Sequence, residues 1–114
     1  MKVLNQTKNT TLVADATLAD SFFSRMKGLL GRNSLPENEG LIITHCNSIH
    51  MFFMRFAIDV VFIDGDDTVV GIVENIPPFR LSRIFWKAKC AIEVPVGTIE
   101  KTQTGVGDKI LIEK

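Results

Sequence analysis

The chain is poor in the residues that ordinarily carry metal or nucleophilic chemistry: histidine occurs twice, cysteine twice and tryptophan once. It contains no Cys-x-x-Cys pair and no second His pair. A closed tetrahedral zinc site therefore lacks its ligand set, and no metal or other cofactor is expected. A surplus of charge of one sign is missing too. Thirteen basic and thirteen acidic residues cancel, which leaves no global field to attract nucleic acid or anionic lipid. A face of either kind would need local segregation of charge, and no nucleic-acid partner is expected. No apolar run approaches the roughly 20 residues of a membrane span. Residues 1–8 carry an early lysine, Lys2, and a second at Lys8, but no apolar stretch of an export leader. The expected compartment is the cytoplasm, where Cys46 and Cys90 stay as reduced thiols.

What is present is an ordinary globular composition, 46% apolar and 23% charged over 114 residues. One domain over residues 1–114 is expected, burying roughly 65% of its unfolded surface without covalent staples. Short β-branched or apolar runs at Lys2–Asn5 and Thr10–Ala14 flank a polar turn and predict a hairpin. Thr17 followed by Asp20 predicts a helix near residues 18–28, with Leu18, Phe22, Phe23, Met26 and Leu29 on one face. Gly28 or Gly31 would stop it. From Gly40 onward the pattern is of strands: Leu41–Thr44, Ile58–Ile63, Thr68–Ile76, Cys90–Val94 and Lys109–Ile112. Asp64-Gly65 marks a hairpin between two of them. Phe79–Lys89 has no periodic pattern. Short strands spaced about ten residues apart, with one helix, predict an all-β fold, a small sandwich, jelly-roll-like domain or partly closed barrel.

A series of motifs carries a resemblance. Lys27-Gly28-Leu29-Leu30-Gly31-Arg32 with Leu35-Pro36 comes first, then Gly40-Leu41, Met54 and the Ile58–Asp64 strand with its hairpin. Glu93-Val94-Pro95-Val96-Gly97-Thr98 and Gly107-Asp108 complete it. In this order the chain resembles the domain of unknown function 192 family over roughly residues 10–112. The resemblance implies a β-sandwich or jelly-roll-like domain with one packed helix, and no assigned activity. Many relatives carry Trp-Met-Lys-Asn-Thr where this chain reads Phe53-Met54-Arg55-Phe56-Ala57. Many also carry an export signal or membrane anchor.

The window His45–Met54 holds both histidines, one cysteine and two methionines. As one extended strand it would project Cys46, His50 and Met54 to one side. Ligand softness there suits Cu(I), but Cα atoms four residues apart on a strand stand about 13 Å apart, too far for Cys46 and His50 to share one ion. A core strand leading into Arg55 and Asp59 is the expected reading. Asp59 and Glu93 each interrupt an apolar run, and an uncompensated buried carboxylate costs several kcal/mol. Each is expected to face solvent, meet a cation such as Arg32 or Arg55, or accept backbone N–H groups. Cys46 follows an apolar run and lacks the electropositive setting of a reactive cysteine, while Cys90 opens a strand after Lys87 and Lys89, and neither is expected to be a nucleophile. Gly28–Arg32 follows a helix instead of preceding one, so it is no phosphate loop. Asp64–Asp67 lacks the closing Glu of a calcium loop. Phe79–Lys89 interleaves four cations with two phenylalanines and the only tryptophan. It is expected to fold its aromatics over the sandwich, with a partner-binding surface as the other use.

These readings converge on a binding module for a small polar ligand or a protein partner. Its ligand-binding residues are expected to be His50, Met54, Arg55, Asp59, Glu93 and Arg32. Two other uses stay open: a hydrolase-like or acid–base enzyme using Asp59, Glu93 and His50, and an accessory factor for envelope or pilus assembly. A deep cavity lined by those side chains would favour the ligand or the enzyme. A flat apolar patch around Phe85 and Trp86 would favour the partner.

Overall fold

The computed structural model describes residues 1–19, 34–49, 51 and 55–114. Among the described residues, eight strands make two sheets. Strands β1 (Lys2–Asn5), β2 (Thr10–Val13) and β8 (Ile110–Glu113) form a three-stranded sheet in the order β2-β1-β8. The five-stranded sheet runs β3-β4-β7-β5-β6. Its members are β3 (Asp15–Ala19), β4 (Glu39–Thr44), β5 (Ile58–Ile63), β6 (Val69–Ile76) and β7 (Cys90–Pro95). The β3–β4 pair is parallel and the rest of that sheet is antiparallel.

The β5–β6 hairpin forms because the Asp64 side chain builds its own turn. Its Oδ1 accepts the N–H groups of Asp66 at 2.9 Å and Thr68 at 3.0 Å, the local bonding that makes Asp a turn residue. Every residue of β5 is buried. Its near-continuous apolar run therefore reads as a strand covered on both faces. One face, with Ile42, Val61, Ile63, Ile92 and Val94, packs on Val3, Leu12, Val13 and Ile110 of the small sheet. This is the interior of the sandwich. The opposite face, with Leu41, Ile43, Val60, Phe62 and Ala91, packs on Leu35, Ile49, Met51 and Ala88. A third, irregular layer thus covers the outside of the large sheet.

Two sequence expectations are corrected. Thr17 does not cap a helix, and Leu18 and Ala19 are not helical: all three lie in β3, where Thr17 pairs with Leu41 and Leu18 with Ile42. Residues 20–28 lie outside the described residues. Tertiary pairing with β4 buries Ala16 and Ala19, and that overrides a capping signal worth about 1 kcal/mol. The window after β4 is not one strand either. His45 adopts φ 53°, in the left-handed region, and residues 45–49 are irregular. Their backbone bonds go to a distant segment instead: Ser82 N–H donates to Ile49 O and Phe85 N–H to Asn47 O, both at 2.8 Å.

One helix among the described residues was not anticipated. Helix α1 (Thr98–Thr102) has only five residues, too few for a helical period to show. No described helix is long and apolar enough to cross a membrane.

Candidate functional site

Asp59 is 1% exposed, and both its carboxylate oxygens are engaged. Oδ1 accepts the Asn75 N–H at 2.8 Å, and Oδ2 accepts those of Gly97 at 3.1 Å and Ile99 at 3.0 Å. Burial removes the carboxylate from water, and three backbone donors replace its hydration. One of the routes expected for it, acceptance of backbone N–H groups, is the one observed. The bonds tie β5 to the end of β6 and to the Gly97 turn that opens α1. Gly97 supplies φ 93° there, a conformation that costs glycine little.

Glu93 is fully buried in β7, between Leu41 of β4 and Val60 of β5. Those neighbours belong to the outer face of the large sheet. Asp59 pairs with Val94, which belongs to the interior face. Side chains alternate along a strand, so the two carboxylates point to opposite faces of one sheet. They do not meet in a common pocket. Arg55 is exposed and lies just before β5. His50, Met54 and Arg32 lie outside the described residues. Among the described residues no group of three or more His, Cys, Asp or Glu is placed to hold a metal ion.

Cys46 and Cys90 both stand as thiols, not joined in a disulfide. The Cys46 thiol donates to Ser48 O at 3.0 Å. Burial, then the neighbouring Cys46 and Asp67, push the Cys90 thiol up to about 12. It therefore stays protonated at neutral pH, the wrong state for a nucleophile.

The segment from Phe79 to Lys89 divides its side chains between core and solvent. Phe85 turns inward and stacks on Phe62, ring centroids 4.5 Å apart. It fits because it lies over Gly71, where a Cβ would stand 2.2 Å from its ring. Arg83 lies over the same ring, 5.0 Å from its centroid, within cation–π range. The other large apolar residues face water: Phe79 is 66% exposed, Leu81 67%, Ile84 42% and Trp86 79%. Arg80, Arg83, Lys87 and Lys89 are exposed beside them. Of the aromatics expected to fold over the sandwich, Phe85 does so, and Phe79 and Trp86 do not. Sequence reasoning left Leu81 and Ile84 out of any site. Their signal was the absence of every acidic residue between Glu74 and Glu93, in a chain whose total charge is balanced.

A pocket of about 250 Å³ lies inside this segment, between Val70, Ile84, Phe85 and Trp86, with Arg83 and Lys87 lining it too. A separate cleft of about 490 Å³ runs between Thr11, Asn38, Pro95 and Lys101. Its lining includes neither Asp59 nor Glu93. At its side Lys101 pairs with Glu37 at 2.8 Å, both largely exposed.

Residues 3–112 match the model of the domain of unknown function 192 family, described as "Uncharacterized ACR". A UPF0127 protein of Thermococcus sibiricus is 36% identical over 95% of this chain and 72% of its own length. One of Pyrococcus abyssi is 35% identical over 95% of this chain and 94% of its own. Two solved structures share the fold. A protein of unknown function from Novosphingobium aromaticivorans has a TM-score of 0.79 at 20% identity, covering 97% of this chain and 82% of its own. A putative transcription regulator from Sinorhizobium meliloti has a TM-score of 0.76 at 21% identity, covering 96% and 89%.

Proposed function

This chain belongs to the domain of unknown function 192 family, and on that premise we propose that it is a non-catalytic docking module. Its working surface is the segment Phe79–Lys89. The observation that carries this reading is the exposure of Phe79, Leu81, Ile84 and Trp86 within eight residues, interleaved with exposed cations. Single exposed apolar residues are ordinary, whereas a contiguous group marks an interaction surface. Trp and Arg are also the residue types favoured as interface anchors.

The enzyme reading has less support. Asp59 spends both oxygens on backbone donors, and Glu93 faces the other side of the sheet. A small polar ligand held by the six expected residues is the lesser reading, since Asp59 and Glu93 point to opposite faces of one sheet. The module is assigned to the cytoplasm.

Site-specific photo-crosslinking in intact cells tests the reading. A photoreactive residue at Leu81 is compared with one at Val96, an apolar residue 50% exposed just beyond β7. The six residues of β7 put the two ends of the strand about 17 Å apart. Adducts from Leu81 and none from Val96 are expected. Equal yields from both positions, or none from Leu81, would overturn the docking surface.

A further inference from the structure

Resting on that docking surface, we infer that the Phe79–Lys89 segment seats the domain on a lipid bilayer bearing anionic headgroups. Outward, this segment offers apolar and cationic side chains. Ser82 is its one neutral polar side chain, and it is turned to the backbone. Its Oγ accepts the Ile49 N–H at 2.8 Å and donates to Arg83 O at 2.9 Å. Apolar and cationic groups are what is left to face a partner.

That pairing is the chemistry of a bilayer interface. Trp, Phe and Leu sit at the boundary of headgroups and acyl chains, while Lys and Arg meet the anionic headgroups. Arg80, Arg83, Lys87 and Lys89 are spread along the whole segment, and no acid lies between Glu74 and Glu93. A fluid anionic surface complements charge arranged that way. A protein interface fits less well, because it depletes Lys and carries about one hydrogen bond per 100–200 Å². It also recruits about 20–30 residues a side, against the eleven residues from Phe79 to Lys89.

The display is also pre-formed. Met51 N–H donates to Arg80 O and Phe79 N–H to Met51 O, both at 2.8 Å. Lys89 N–H donates to Ile63 O at 2.8 Å, and Phe85 anchors the middle of the segment on Phe62. Binding therefore has little backbone to order. Phe79 adopts φ 66°, a costly conformation for a bulky residue, and there its ring stands in solvent. A contact that buries this ring gives the strained conformation a use.

Trp86 is the only tryptophan, so its emission reports on this segment alone. The protein is titrated with unilamellar vesicles of phosphatidylcholine, with and without phosphatidylglycerol. The expected result is a saturable blue shift with phosphatidylglycerol vesicles, weakened by added salt and absent with phosphatidylcholine alone. Arg80→Gln and Lys87→Gln should each weaken binding about fivefold, and Leu81→Asp should abolish it. All three positions are exposed, so unchanged circular dichroism and melting are expected of the variants. No shift with anionic vesicles, an equal shift on neutral ones, or undiminished binding by Leu81→Asp would overturn the inference. A shift with single-stranded oligothymidine and none with vesicles would also overturn it, in favour of nucleic acid. If vesicles fail while Leu81 still crosslinks to a protein in cells, the lipid assignment falls and the docking surface stands.

Discussion

Asp59 shows how much of a buried residue's role is set by what its atoms already do. Three backbone N–H groups converge on its carboxylate, and charge-assisted bonds of this kind contribute more than neutral ones. Asp59→Asn keeps the shape but turns an amide donor toward at least one of those N–H groups. The expected cost is about 2–4 kcal/mol, read as a lower midpoint in urea unfolding, with vesicle binding of the folded protein unchanged. From the sequence, an acid between Ile58 and Val60 already demanded compensation. Which compensation it found was not legible there, because Asn75, Gly97 and Ile99 lie 16 to 40 residues away. Glu93 posed the same question. Only the pairing of β5 with β7, in which Asp59 meets Val94 and Glu93 meets Val60, put the two acids on opposite faces.

At the scale of elements, the strands were the legible part. Alternating or continuous apolar runs bounded by Asp-Gly, Pro-Pro and Gly turns located β1, β2 and β4–β8 to within about two residues, the ordinary uncertainty of strand ends. The segment around Thr17 and the window after Thr44 were misread for one reason. Local signals suggested one partner, and backbone groups distant in the chain supplied another. Phe79–Lys89 joins the irregular layer through Phe85, and Gly71 of β6 is the residue that admits it. Gly71→Ala places a methyl 2.2 Å from the Phe85 ring. The side chain must leave Phe62 or the segment must shift. We expect a loss of about 1–3 kcal/mol in denaturant unfolding, together with an altered Trp86 emission in the native state.

For the whole molecule, the two ends of the chain close the small sheet. β1 pairs with both β2 and β8, and Asp108 fastens that closure. It accepts Asn5 Nδ2 at 2.9 Å, Lys8 Nζ at 2.9 Å and the Gly105 N–H at 2.9 Å. Burial alone pushes the Asp108 carboxyl up. The bonds from Asn5, Lys8 and Gly105, with the Lys8 charge, outweigh burial and hold it below the usual carboxylate range. A carboxyl held low in the folded state favours folding at every pH above its unfolded value of about 3.9. That contribution is lost as pH falls through the lower, folded value. Stability should therefore drop as the solution is acidified below about pH 4. Asp108→Asn should start about 1–3 kcal/mol lower at neutral pH and lose less on acidification. Thermal melts of both proteins across that range check the sign.

The sequence by itself determined the class of the fold, the positions of most strands and the need to compensate Asp59 and Glu93. Each follows from neighbours along the chain: side-chain period, turn chemistry and the cost of burying charge. Only the tertiary structure decided which backbone groups meet Asp59, that the two acids face apart, and that Thr17–Ala19 pair as a strand. It also decided which apolar side chains between Phe79 and Lys89 reach water. Composition showed that cations and aromatics alternate there, but exposure depends on what packs above each residue. Gly71 and Phe62 gave a place to Phe85. Trp86, the next residue, stands 79% exposed.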